Sequence, residues 1–206
     1  MKQSPPHKKA STGMPDILRT TLTLLITCVL VAGVLTAVHH LTWNRIAALG
    51  QEETETALRG VVNDPDSSQF TRVKATAAEI AAAAGYGTSL DDVYSVRNAG
   101  ENGGFVFQIT SSGTQGDLVL MVGVDEDGAV SGVTIFNSSE PAGTGVTGSD
   151  LLPNGTGVLD QFIGKTAADL PLTVGVNVEA VSGTAASCEA VTQGVNGALA
   201  AVSITS

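Results

Sequence analysis

The residues with the most chemical potential stand together in the run EAVSGTAAS, from Glu179 to Ser187, with Cys188 directly after. Three hydroxyls fall there, on Ser182, Thr184 and Ser187, with Gly183 between the first two and the Glu179 carboxylate just upstream. The run lies where an extended segment gives way to a helix. At such a boundary Ser or Thr caps free N–H groups, and Gly permits a sharp entry. The same N–H groups and the helix dipole suit an anion, and a hydroxyl among them could hold a phosphate as an ester. The residues alone leave both readings open. Cys188 is placed where a helix N-terminus can lower a thiol pKa, yet no second thiol is near, so a small packed residue is expected. The histidines are His7, His39 and His40, so no Ser-His-Asp or Cys-His arrangement is legible, nor is a pair of carboxylates. Hydrolytic and general acid–base chemistry is disfavoured.

The elements that must position this run follow from periodicity. Asn44 to Val62 reads as a helix, NDPDSSQF (63–70) as a turn-rich break, and VKATAAEIAAAAG (73–85) as a second helix ended by glycine. GFVFQIT (104–110), DLVLMVGV (117–124) and AVSGVTIF (129–136) read as strands. They form an antiparallel meander with one face expected under a helix. DEDG between the last two is a tight-turn signal; its spacing lacks the later ligands of a calcium loop, so a solvated hairpin tip is expected. A long Gly/Ser/Pro-rich passage, Asn137 to Gly157, exceeds a simple connector and points to function or mobility. LDQFIGK (159–165) reads as a short helix and VGVNVEAV (174–181) as extended chain. In the closing segment 187–203, Ala190, Val191, Val195, Ala198, Leu199 and Val202 recur at helical spacing.

The two ends of the chain differ in charge. Residues 1–43 hold four basic and one acidic residue, whereas 44–206 hold six basic and nineteen acidic, within a total net charge of −10. Between Arg19 and His39 run nineteen residues without a charge, TTLTLLITCVLVAGVLTAV. As helix that is about 28 Å, near the hydrocarbon thickness of a bilayer. It is longer than the apolar core of a cleavable signal, and Leu25-Ile26-Thr27 before Cys28 makes a poor lipid-attachment site. His39, His40, Trp43 and Arg45 read as an interfacial collar, and the Lys-rich N-terminus is expected in the cytoplasm with the acidic remainder outside. At 206 residues the chain accommodates one anchor and one ordinary domain. So acidic a chain is a poor nucleic-acid binder, and two cysteines make neither a disulfide scaffold nor, unaided, a zinc site.

Residues 179–191, EAVSGTAASCEAV, resemble the D-x-x-(S/T)-G-A-T-x-(S/T) segment of covalent FMN-binding domains. Such domains occur in the G-type subunit of Rnf ion-translocating electron-transport complexes and in the C-type subunit of sodium-pumping NADH:quinone oxidoreductases. The resemblance extends to LMVGVDEDGAVSGVTIF (120–136), to Glu140-Pro141-Ala142-Gly143-Thr144-Gly145 against the family's E-T-P-G-L-G, and to LDQFIGK. It implies an α+β fold: an N-terminal transmembrane helix, then an external FMN-binding domain whose antiparallel sheet is packed by helices. The expected divisions are a cytoplasmic segment 1–19, a transmembrane helix and collar 20–43, a helical linker region 44–85, and an FMN-binding domain 86–206. It implies FMN joined through its phosphate to a threonine by a flavin transferase. It also implies an electron-transfer role, not that of a stand-alone enzyme, beside other membrane subunits that couple ferredoxin/NAD electron flow to ion translocation. The implied cofactor residues are Thr184 as attachment point, Ser187 as second choice, and Ser182, Gly183, Glu179, Glu140, Gly143 and Gly145 around it. The chain departs from the pattern at two points: Glu179 replaces Asp, and G-A-T reads Gly183-Thr184-Ala185. An ungapped match sets Ala185, which has no oxygen to esterify, at the attachment position. Thr184, Ser187 and no covalent flavin therefore stand as alternatives, as do a free-standing anchored flavoprotein and a flavin-less interaction domain.

Overall fold

The computed structural model describes residues 16–98, 100–113, 116–139, 146, 150–152, 155–181 and 183–205; in the first helix it describes side chains over 21–37 and from 51 onward. The chain divides into two compact units, meeting between Gln51 and Glu52. Helix α1 (Asp16–Arg59) begins in the first unit and ends in the second. Every side chain over 21–37 is exposed, with Leu24 at 67%, Val29 at 64% and Leu35 at 66%. Among the described residues no helix is long and apolar enough to cross a membrane. The expected span over 20–43 lies partly outside the described side chains.

The second unit is built on one antiparallel sheet of five strands in the order β1-β2-β3-β4-β5. These are β1 (Ser68–Val73), β2 (Thr88–Asn98), β3 (Glu101–Ser112), β4 (Asp117–Val124) and β5 (Val130–Ser138). The expected three-strand meander is β3–β5; β1 and β2 extend it on one side. Both were hidden by polar patterning. On β2, buried Leu90, Val93 and Val96 fall three residues apart among Asp91, Asp92 and Arg97, and register irregularities at Leu90/Asp92 and Ser95/Arg97 break the two-residue period; β1 is an edge strand with only Ser68 buried. So the segment expected to be a helical linker contributes a strand to the sheet.

Both faces of the sheet are covered, not one. On the first lie helix α2 (Ala77–Ala84), helix α3 (Ala185–Thr205) and the chain between β5 and α3; Phe107, Ile109, Leu120 and Val122 meet Val195, Ala198 and Leu199 there. On the second, Val96, Val106 and Met121 pack against Leu58 and Val61 from the end of α1. The chain after α1 runs so close to the sheet that a Cβ on Gly123 would stand 2.1 Å from the Val61 carbonyl oxygen, and Ser131 Oγ donates to that oxygen at 2.6 Å.

Helix α2 starts where Thr76 and Glu79 cap each other, Thr76 N–H to Glu79 Oε2 at 2.7 Å and Glu79 N–H to Thr76 Oγ1 at 3.3 Å. All six apolar positions named for the closing helix are buried. Burial continues almost all round α3 from Ala190 to Val202, so it is a core helix more than an amphipathic one. Two other expectations differ in kind. LDQFIGK holds only a three-residue 3₁₀ turn, Asp160–Phe162. VGVNVEAV begins with a tight turn, in which the N–H groups of Val176, Asn177 and Val178 all converge on the Thr173 carbonyl. DEDG is a reverse turn: Gly128 N–H reaches the Asp125 carbonyl at 3.2 Å, and Asp125 Oδ1 accepts from the N–H groups of Asp127 and Ala129.

Candidate functional site

The Glu179–Ser187 run is an irregular strap that turns into α3. Thr184 N–H donates to the Val181 carbonyl at 3.1 Å, closing a reverse turn in which Gly183 takes φ +91°. That conformation is costly for any residue with a Cβ, which is why Gly stands third in the turn. A Cβ at Gly183 would meet nothing within 4 Å, so the strap faces open space there. Helix α3 begins one residue after Thr184, at Ala185. Thr184 is thus outside the helix while its carbonyl already accepts the first helical bond, from Cys188 N–H at 2.9 Å, as an N-cap residue does.

The hydroxyls are not equivalent. Thr184 is half-buried; its Oγ1 donates to the Val181 carbonyl at 3.2 Å and lies 3.8 Å from Cys188 Sγ. Ser187 is buried at 2% exposure, and so is Cys188, which packs in the core. Ala185 is exposed at the first helical position. Glu179 is exposed, and its backbone is held from both sides by Gln161: Glu179 N–H donates to Gln161 Oε1 at 2.8 Å, and Gln161 Nε2 donates to the Glu179 carbonyl at 3.0 Å. Gln161 Nε2 also reaches the Val158 carbonyl at 2.8 Å. The LDQFIGK segment therefore anchors the upstream end of the hydroxyl strap. Ser182, Glu140, Gly143 and Gly145 lie outside the described residues.

Beside the strap is an open cleft of about 520 Å³, within the ~300–1,000 Å³ of small-molecule sites. One wall is Leu172, Thr173 and Val174; the other is the first turns of α3, with Ala185, Ala186, Glu189, Thr192 and Gln193. The walls are tied by Asn196, whose Oδ1 accepts the Leu172 N–H and whose Nδ2 donates to the Leu172 carbonyl, each at 2.9 Å. Asn196 is 4% exposed, so this paired bond is shielded from water. Sequence reasoning missed this wall. Its one signal was Asn196 between the apolar positions Val195 and Ala198 of the helix, a polar residue that needs partners once buried.

The arrangement suits a phosphate ester with an attached planar group. The hydroxyl of Thr184 lies at a helix start, in front of N–H groups that lack intrahelical acceptors, and the adjoining cleft offers apolar Leu172, Val174, Ala185 and Ala186 beside a few polar groups. Comparison with known proteins agrees in class. Residues 113–200 match the family described as FMN-binding domain. The G-type subunit of the Na(+)-translocating ferredoxin:NAD(+) oxidoreductase complex of Acetobacterium woodii is 32% identical over 113 residues, 51% of this chain and 52% of that protein. The G-type subunit of the ion-translocating oxidoreductase complex of Stutzerimonas stutzeri is 29% identical over 161 residues, 73% of this chain and 63% of that protein. The chain thus spans between half and two thirds of the length of these curated relatives.

Proposed function

We propose that this chain is the G-type electron-transfer subunit of an ion-translocating oxidoreductase complex, with FMN esterified through its phosphate to Thr184. The observation that carries the reading is the position of Thr184: a half-buried hydroxyl on an irregular turn, one residue before α3 and beside the cleft. On a formed helix a displacement of one residue turns a side chain by about 100°. In a turn that constraint is relaxed, which supports Thr184 in spite of Ala185 at the family's usual position. Ser187 fits poorly, because an ester there would carry a charged phosphate into the core. Attachment forms the Thr184 Oγ1–P bond while a P–O bond of the flavin donor breaks, the rest of the donor leaving with the hydroxyl proton, so that the chain gains one FMN less one water.

When bound, FMN supplies one- and two-electron transfer. The residues of the chain do the holding. Thr184 supplies the ester oxygen, Gly183 keeps the approach open, Gln161 fixes the strap, and Asn196 holds the two cleft walls together. The apolar exterior of α1 over 21–37 supports a membrane anchor, with the N-terminus cytoplasmic and the acidic unit on the external or periplasmic side. Its partners are then the other membrane subunits of an Rnf-type complex and, during maturation, a flavin transferase. Ala185 favours one second reading, flavin held without a covalent bond.

Intact mass and in-gel fluorescence of the full chain, co-expressed with a flavin transferase, test the proposal. The expected gain is one FMN less one water, absent in Thr184→Ala and kept in Ser187→Ala. No gain in the parent chain, with flavin that washes out on denaturation, would favour the second reading.

A further inference from the structure

Among the described residues that line the cleft beside Thr184, one side chain is charged, the exposed carboxylate of Glu189. The other described lining residues are apolar or neutral, as at Leu172, Val174, Thr192 and Gln193. Glu189 is one turn into α3, on the same lining as Ala185 and Ala186, the two residues next to the proposed attachment point. Resting on the reading that a flavin tethered at Thr184 occupies this cleft, we propose that Glu189 sets its midpoint potential by opposing the negative charge that reduction adds. A two-electron reduction adds two electrons and one proton to give an anionic ring, or two electrons and two protons to give a neutral one. Glu189 exchanges neither electrons nor protons in this step. Its fixed charge raises the energy of the anionic form and so lowers the potential. A ring filling the cleft displaces water from between the two, so the interaction is stronger than for two charges in bulk solvent.

The test is spectroelectrochemical titration of the full chain, loaded with FMN by co-expression with a flavin transferase and reduced with dithionite. Glu189→Gln is expected to raise the reduced-to-oxidised ratio at a given ambient potential about tenfold, ~30 mV for a two-electron couple. Glu189→Lys is expected to raise it further, and Glu189→Asp to stay near the parent. Glu126→Gln, on the β4–β5 turn away from the cleft lining, is the control and should leave the potential in place. A Glu189→Gln potential equal to that of the parent overturns the proposal while leaving the flavin reading intact. A parent chain without flavin overturns both, and is recognised before any titration by the missing visible absorbance.

Discussion

At the scale of single residues, Thr184 and Ala185 differ by one position and by which side of the helix start they occupy. Ala185 is exposed at the first helical position, so a hydroxyl there would not have to leave the core to be modified. A Thr184→Ala chain that has lost its flavin should regain the mass of one FMN less one water when Ala185→Thr is added, since that restores the family's Gly-Ala-Thr order. Failure of this double variant to take flavin would mean that the surrounding strap, not the missing hydroxyl, sets the attachment point. A second residue speaks through pH. The Asp169 carboxyl is held below the usual carboxylate range, chiefly by the Thr166 N–H at 2.8 Å and then by the Thr166 hydroxyl at 3.1 Å. Its folded pKa lies below its unfolded one, so its stabilisation is fully present above about pH 4 and fades as pH falls through the lowered folded value. An NMR titration of the Asp169 carboxyl should give a midpoint below ~3.9, and Asp169→Asn should flatten that part of the acid-unfolding profile.

At the scale of elements, the sheet depends on how closely the chain after α1 crosses it. Gly123 and Gly132 lie side by side on β4 and β5, and added Cβ atoms would approach Val61 to 2.1 Å at its oxygen and 2.8 Å at its Cα. Gly123→Ala should therefore push this crossing off the sheet and open the Leu58–Val61–Met121 cluster, at a cost of about 2 kcal/mol. Urea unfolding should show this as a lower midpoint at unchanged slope. The strongly periodic elements were legible in the sequence: α3 through its six buried apolar positions, and β3–β5 through their apolar runs. What was not legible depended on partners far along the chain. Strands β1 and β2 carry Arg72, Asp91, Asp92 and Arg97, and the register irregularities of β2 space its buried Leu90, Val93 and Val96 by three, which removes the two-residue signature of a strand. The cleft wall at Leu172–Val174 exists because Asn196, twenty-four residues away, satisfies both backbone groups of Leu172. No local pattern encodes such a pairing. The boundary at Gly183 and Thr184, by contrast, was readable, because the turn that needs glycine and the start of the helix are adjacent in sequence.

At the scale of the whole molecule, the two units present opposite problems to water. The unit from Glu52 to Ser206 closes a core on both faces of its sheet. The helix over 21–37 leaves Leu22, Leu24, Leu25, Ile26, Val29, Leu30, Val31, Val34 and Leu35 exposed, each between 44% and 67%. An exposed apolar exterior of this kind suits lipid or apolar protein around it. The full chain should therefore stay with the membrane fraction through alkaline carbonate washing. Replacing Leu25 and Val29 by Lys should release it, because each charge near the middle of an inserted helix costs about 2.5–3.5 kcal/mol. The flavin supplies an independent readout in the same preparation. If the acidic unit is matured on the outer side of the membrane, the released Leu25→Lys/Val29→Lys chain should remain in the cytosol without FMN. Its mass should rise by one FMN less one water only when purified chain, flavin donor and transferase are mixed. A released variant already carrying flavin would instead put the modification on the cytoplasmic side, and with it the cleft and the electron partners of the chain.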